Sequence, residues 1–198
     1  MISEIILDGT WGFRFDGAKE GISRRFFTIP YEDTIELPST TSLSRKGVPS
    51  DERKLGSLTD EYSFEGYCWY YRTIETGVIP EDTKAELFLE RTRQTKLWVN
   101  GDYIGERNSL CTPHIYDITD HIKDGTAEIC VMVSNTDYPT KGGHMTSEDT
   151  QTNWNGITGR IALRISEKNG ISFIRAYPCI SSHSVKLEFG LELSLIHI

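Results

Sequence analysis

Apolar and polar residues alternate with a period of two along much of this chain. Leu87 and Leu89 are interleaved with Glu86, Phe88 and Glu90. Ala127, Ile129, Val131 and Val133 alternate with Glu128, Cys130 and Met132, and Ile161, Leu163 and Ile165 with Arg160, Ala162 and Arg164. Successive side chains of an extended strand point to opposite faces, so each run predicts a strand with one face on a core. Leu97 and Val99 lead into Asn100-Gly101, a hairpin signal that puts Tyr103 and Ile104 on the return strand. Asn169-Gly170 marks a further turn. Helical periodicity is weak, with a turn expected at 118–122 and another near 58–62. Many short strands, Gly-containing turns and no long helix predict an all-β chain, a β-sandwich or jelly roll.

Two polar stretches interrupt the strands. Residues 39–61, with Gly47, Pro49, Asp51, Glu52, Arg53, Lys54 and Gly56, read as a long surface connection, and a second runs from Asn135 to Asn155. Connections of that length often carry function. Near the end, Val185, Leu187, Phe189, Leu191 and Leu193 alternate with Lys186, Glu188, Gly190, Glu192 and Ser194, a strand with no partner in sight. An unpaired apolar strand invites aggregation, so this segment reads as the opening of a truncated second domain. The expected division is 1–168 and 169–198.

Composition narrows the function classes. The 198 residues exceed a soft prior of about 150 per domain, in keeping with one domain and a remainder. Lys plus Arg number 21 against 29 Asp plus Glu, a net charge of -8 that repels phosphate backbones and anionic lipid and argues against nucleic acid. No apolar run exceeds five residues, far short of the ~20 of a membrane-spanning helix. The stretch after Met1 lacks a basic and then apolar leader, so a cytoplasmic location is expected unless the native start lies upstream. Cys68, Cys111, Cys130 and Cys179 form no C-x-x-C pair and read as buried reduced thiols. His114, His121, His144, His183 and His197 show no metal-ligand spacing. No phosphate loop and no Ser-His-Asp order is present, so neither metal, cofactor nor nucleophile is expected. Trp11, Trp69 and Trp98 lie in strand phrases and are expected to pack on sheet faces. Arg24-Arg25 and the pair Arg91 and Arg93 read as solvated charges on strand faces.

The richest candidate surface is the second loop. It carries Asp137, Tyr138, His144, Glu148, Asp149, Gln151, Asn153 and Trp154. Sugar recognition needs polar groups that grip vicinal hydroxyls and an aromatic face for the C–H side of the ring, and this loop has both. The alternative is a solvated connection whose polar groups bond their own backbone.

Several phrases in their order resemble the opening of family 2 glycoside hydrolases, the β-galactosidase and β-glucuronidase group. They are Leu7-Asp8-Gly9-Thr10-Trp11-Gly12-Phe13-Arg14-Phe15-Asp16, Ile35-Glu36-Leu37-Pro38 and Gly66-Tyr67-Cys68-Trp69-Tyr70-Tyr71-Arg72. Leu97-Trp98-Val99-Asn100-Gly101-Asp102-Tyr103-Ile104-Gly105, Thr112-Pro113-His114-Ile115-Tyr116-Asp117-Ile118-Thr119, Val131-Met132-Val133-Ser134-Asn135 and Trp154-Asn155-Gly156-Ile157-Thr158-Gly159-Arg160-Ile161 follow. The resemblance covers about residues 5–168. It implies a galactose-binding-like jelly roll, followed by an immunoglobulin-like sandwich beginning near Ile171 and by a catalytic TIM barrel that this sequence lacks. Both catalytic Glu residues of the family lie on that barrel, so the chain alone is expected to be inactive. The resemblance also places Asp149 nearest a sugar-touching Asp of the family's loop, and Glu65 where the family has a sugar-contacting Asn, a departure that implies a different hydroxyl pattern or no contact. Asp149, Gln151, Asn153, Trp154, His144, Asp137 and Glu65 are therefore the candidate substrate contacts. The expected role is an accessory sugar-binding domain, in a fragment, of a β-galactosidase-like enzyme that hydrolyses O-glycosyl bonds in carbohydrate metabolism. Its partners would be a β-galactoside-like carbohydrate, the missing domains of the same protein and, in the full-length enzyme, further copies of itself. The alternative is a freestanding carbohydrate-binding module or lectin-like protein.

Overall fold

A computed structural model describes residues 3–50, 60–122, 124–138 and 152–193. In chain order the strands are β1 (Ser3–Ile6), β2 (Gly9–Asp16), β3 (Asp33–Leu37), β4 (Ser39–Thr40), β5 (Val48–Pro49), β6 (Tyr62–Ser63), β7 (Tyr67–Glu75), β8 (Thr83–Thr92), β9 (Gln94–Val99), β10 (Asp102–Arg107), β11 (His114–Asp117), β12 (Thr126–Ser134), β13 (Gly156–Glu167), β14 (Gly170–Cys179) and β15 (Ser184–Glu192). Short 3-10 turns occupy Phe26–Thr28 and Thr119–His121. The second is the turn expected at 118–122. Of the turn expected near 58–62, residues 58 and 59 lie outside the described residues, and Tyr62 opens the two-residue strand β6.

Two antiparallel sheets form the jelly-roll sandwich. One runs β1-β13-β8-β11, with β4 also on β13; the other runs β10-β9-β12-β7-β2-β3. The alternating runs set the register. Ala127, Ile129, Val131 and Val133 point between the sheets with Leu87, Leu89, Leu97, Ile161 and Leu163, each at most 1 % exposed. Asn100 and Gly101 both adopt positive φ, 51° and 85°, as the tight hairpin between β9 and β10 requires.

Cys130 and Met132 face the other way, yet they too are buried. The outer face of the six-stranded sheet carries a second apolar cluster of Phe26, Trp69, Trp98, Cys130 and Met132, roofed by the segment after β2. Phe27 stacks on Trp98 with ring centroids 5.0 Å apart. Asp16, buried at the end of β2, accepts the backbone N–H groups of Glu20 and Gly21 and the indole N–H of Trp69, which fastens that roof to the sheet. Trp11, Trp69 and Trp98 thus all pack on sheet faces as expected. The cysteines divide: Cys68 and Cys130 are buried thiols, whereas Cys111 and Cys179 are exposed, because they sit in a loop and at the outer end of β14.

The last segment also departs from expectation. The strand 185–193 does have a partner, since β15 pairs with β14 in a register that sets Ile174 opposite Phe189 and Ala176 opposite Leu187. What the described residues lack is a layer over that ribbon's apolar face, where Ile174, Leu187, Phe189 and Leu191 are each more than half exposed. The ribbon is tied to the sandwich by Lys84, whose Nζ lies 2.7 Å from Glu192 and 3.2 Å from Glu86.

Candidate functional site

The second long loop leaves the six-stranded sheet after β12 and re-enters the other sheet at β13. His144, Asp149 and Gln151 lie outside the described residues, as does Glu148. Two buried asparagines fix both stems of the loop. Asn135 accepts the Gly66 N–H at 3.0 Å and donates from Nδ2 to the carbonyls of Phe64 and Asn153, each at 2.7 Å. Asn155 accepts the Tyr70 hydroxyl at 3.2 Å and donates to the Val133 carbonyl at 3.1 Å, while its own carbonyl takes the Thr41 N–H at 2.8 Å. Buried amides without such partners would be costly, so these bonds hold 60–66, 133–138 and 152–155 together at one end of the sandwich. Gly156 closes the junction at φ +153°, where a Cβ would lie 2.7 Å from Thr40 Cα.

Of the candidate contacts, three come together on this end. Asn153 reaches Glu65 with Nδ2 3.4 Å from Oε1, and Trp154 follows on the same segment. Asp137 is engaged by a different partner, its Oδ1 2.6 Å from Lys19 Nζ. Partial burial pushes the Asp137 carboxyl up, but hydrogen bonds from Lys19 and Tyr67 outweigh it and hold the group below its ordinary value. The same neighbourhood, chiefly burial and then Asp137, raises the Tyr67 phenol.

Two participants escaped the sequence reading. Arg93, expected on a solvated face, is only 2 % exposed. It stands between β8 and β9, where the chain crosses from one sheet to the other, so the alternation that would turn it outward breaks at that residue. Its Nε donates to the Trp154 carbonyl at 3.1 Å and its Nη2 to the Thr152 carbonyl at 3.0 Å, and its guanidinium carbon lies 4.5 Å from a Trp154 ring centroid. Arg91, two residues back and exposed, approaches the same indole at 6.0 Å. The second is Asp60, half-buried beside Thr152 and Ser42. Burial raises its carboxyl, opposed by those hydroxyls and by the Arg93 charge. No sequence signal marked Asp60, because its partners come from segments about 20 and 90 residues away. Among the described residues no cluster of His, Cys, Asp and Glu could hold a metal ion.

A two-sheet jelly roll with an aromatic and amide-bearing surface at one end is a form that carbohydrate-facing domains take. Residues 5–165 match the sugar binding domain of glycosyl hydrolases family 2, and the chain belongs to that family. It is 25% identical to a β-galactosidase of Priestia megaterium over 143 residues and 22% identical to one of Erwinia tasmaniensis over 147. Those stretches are 64% and 66% of this chain but 14% of either relative, so the chain spans about a seventh of their length. Among solved structures, a β-glucuronidase from an uncultured Clostridium superposes with a TM-score of 0.71 at 20% identity, covering 96% of this chain and 33% of that one. A Faecalibacterium prausnitzii β-glucuronidase gives 0.71 at 19%, covering 98% and 36%. Those likenesses show the fold.

Proposed function

We propose that this chain is the accessory sugar-binding part of a β-galactosidase-like family 2 glycosidase, contributing one wall of the sugar site to a catalytic domain it does not contain. The observation that carries the reading is the stem of the second loop. Buried Asn135, Asn155 and Arg93 are committed to holding 152–155 still, which leaves the Asn153 amide against the exposed Glu65 carboxylate and, on the next residue, the half-buried Trp154 ring against Arg93. An amide and a carboxylate supply the donor and acceptors that vicinal hydroxyls need, and an indole face suits the apolar side of a pyranose. The apolar face of the β14–β15 ribbon fits the opening of a second, immunoglobulin-like sandwich, dividing the chain at 168–169. In the assembled enzyme the wall positions the sugar, and the acid and nucleophile come from elsewhere, since a retaining glycosidase needs two carboxyls about 5 to 5.5 Å apart in a walled site.

The test is titration of the 198-residue chain with methyl β-D-galactopyranoside, followed by amide and indole NMR shifts. Weak binding, of about millimolar affinity, should perturb Asn153, Glu65 and Trp154 together, and Asn153→Ala should abolish it. Shifts confined to another surface, or no shifts at saturating sugar, would sink the assignment. The purified chain should release no product from aryl β-glycosides.

A further inference from the structure

A fully buried guanidinium is unusual in a β-sandwich. Removing a cation from water costs several kcal/mol after relaxation, and it persists where its hydrogen bonds fix something that an apolar side chain could not. Arg93 is placed to do this. Its fork spans the carbonyls of Thr152 and Trp154, at 3.0 and 3.1 Å, while the intervening Asn153 carbonyl points the opposite way onto the Asn135 amide at 2.7 Å. Three consecutive carbonyls are thereby locked in alternating directions. The lock sets the direction in which the Asn153 side chain leaves the backbone, and that direction brings its amide to Glu65. The same guanidinium lies against the Trp154 ring, 4.5 Å from its centroid, and orients the indole plane.

We propose that Arg93 is the positioning residue of the sugar-facing surface: it fixes the backbone from which the Asn153 amide projects and holds the Trp154 ring, without itself meeting the ligand. The proposal rests on the sugar-facing reading for its purpose, but not for its geometry. Lysine cannot replace the fork, because a single ammonium reaches only one of two carbonyls that a planar guanidinium takes at once. Asp60 contributes the opposing charge from the side of the first long loop.

The experiment uses the 198-residue chain with Arg93→Lys and Arg93→Met. The four indole N–H signals separate positioning from general stability, since Trp11, Trp69 and Trp98 lie in the two apolar clusters and Trp154 lies at the stem. In both variants the Trp154 indole and the Asn153 side-chain amide should shift or broaden while the other three indoles stay in place. Affinity for methyl β-D-galactopyranoside should fall by about tenfold, the equivalent of one lost hydrogen-bonded placement. A Trp154 signal that stays put in the Met variant overturns the proposal. So does movement of all four indoles together, which would make Arg93 a support of the whole sandwich. Full retention of affinity and signals by the Lys variant overturns the role of the fork. If the parent chain binds neither this glycoside nor methyl β-D-glucuronide, the sugar-facing reading fails, and the indole and amide signals decide the role of Arg93 by themselves.

Discussion

Replacing Asn155 with Ala removes the side chain that joins the loop stem to both β7 and β12, and its cost can be worked from the contacts. Asn155 is fully buried, accepting from the Tyr70 hydroxyl at 3.2 Å and donating to the Val133 carbonyl at 3.1 Å. Tyr70 is fully buried too, packed edge-on to Phe13 at 5.4 Å, so its hydroxyl would lose this bond without gaining water. Leaving the buried Tyr70 hydroxyl with only the neighbouring Cys68 thiol costs about 1 to 3 kcal/mol, which is the loss expected for Asn155→Ala. Tyr70→Phe removes the hydroxyl but leaves the amide oxygen behind, and should cost about 1 kcal/mol. The double variant carries the information. With both partners gone the weakened hydroxyl no longer exists, so the combined loss should fall short of the sum by about 1 kcal/mol. Urea unfolding monitored by tryptophan fluorescence measures all three, with unchanged slopes indicating that the denatured state is unaltered. Strict additivity would refute the reasoning, because it would mean that hydroxyl and amide do not interact in the folded chain. A loss under about 0.5 kcal/mol for Asn155→Ala would refute it as well, showing the stem to be solvated.

Other consequences concern protons, thiols and the ribbon. His114 is buried between the Thr95 hydroxyl at 2.7 Å and the Ser109 carbonyl at 2.8 Å, and burial lowers its pKa from the ordinary 6.5. The folded state therefore takes up a proton less readily than the unfolded one, so stability is whole above about pH 6.5 and falls as pH drops below it. His114→Asn should flatten that part of the curve, and parallel urea midpoints for parent and variant between about pH 7.5 and 5.5 would refute the assignment. Maleimide should label Cys111 and Cys179 in the native chain and reach Cys68 and Cys130 only on unfolding. Cys179 should react first because the Ser181 and Ser182 hydroxyls pull its thiol down to about 7, an order that single Cys→Ser variants read directly. The chain cut after Lys168 should fold and stay in solution at higher concentration than the parent, since it sheds the uncovered face of β14 and β15. A truncated form that unfolds would show that the ribbon supports the sandwich.

The sandwich was legible because its signal is local. Alternation at 127–133 and 161–165 sets strand and face together, and Asn100-Gly101 specifies a turn through its backbone angles alone. Those are statements about neighbours in sequence. The stem of the loop was legible only in part. Asn153, Trp154 and Glu65 stand out as residue types suited to sugar, but the groups that hold them do not. Asn135 and Asn155 look like ordinary turn residues until the fold buries them, and Arg93 looks like a solvated strand charge until the chain changes sheets there. The roof over Trp69 and Trp98 was invisible for the same reason: Phe26 and Phe27 follow two arginines in a stretch without periodicity, and only Asp16 at the end of β2 draws it back onto the sheet. Pairing of β15 with β14 was missed because the residues of β14, from Gly170 to Cys179, mix Arg175, Tyr177 and Pro178 into the apolar pattern and blur the period of two.

These placements follow one physical rule. A jelly-roll sandwich has two closed faces and two ends, and the ends are where strands cross between sheets and backbone groups lose their ladder partners. At the end bearing Asn153 the lost partners are replaced by side chains that are themselves buried, Asn135 for Gly66 and Phe64 and Arg93 for Thr152 and Trp154, while Asn155 adds a bond to Val133 of β12. Rigid replacement matters more than the identity of the exposed groups. A sugar offers hydroxyls that water satisfies nearly as well, so affinity depends on presenting the competing amide, carboxylate and ring already at the right angles. A loop stem fastened by water alone would have to be ordered at the moment of binding, and that ordering cost is of the same size as one hydrogen bond gained. The commitment of two buried amides and one buried guanidinium to four residues of chain is therefore the feature that would separate a binding wall from a connection, and it is the observation on which the proposed sugar-facing role of that end rests.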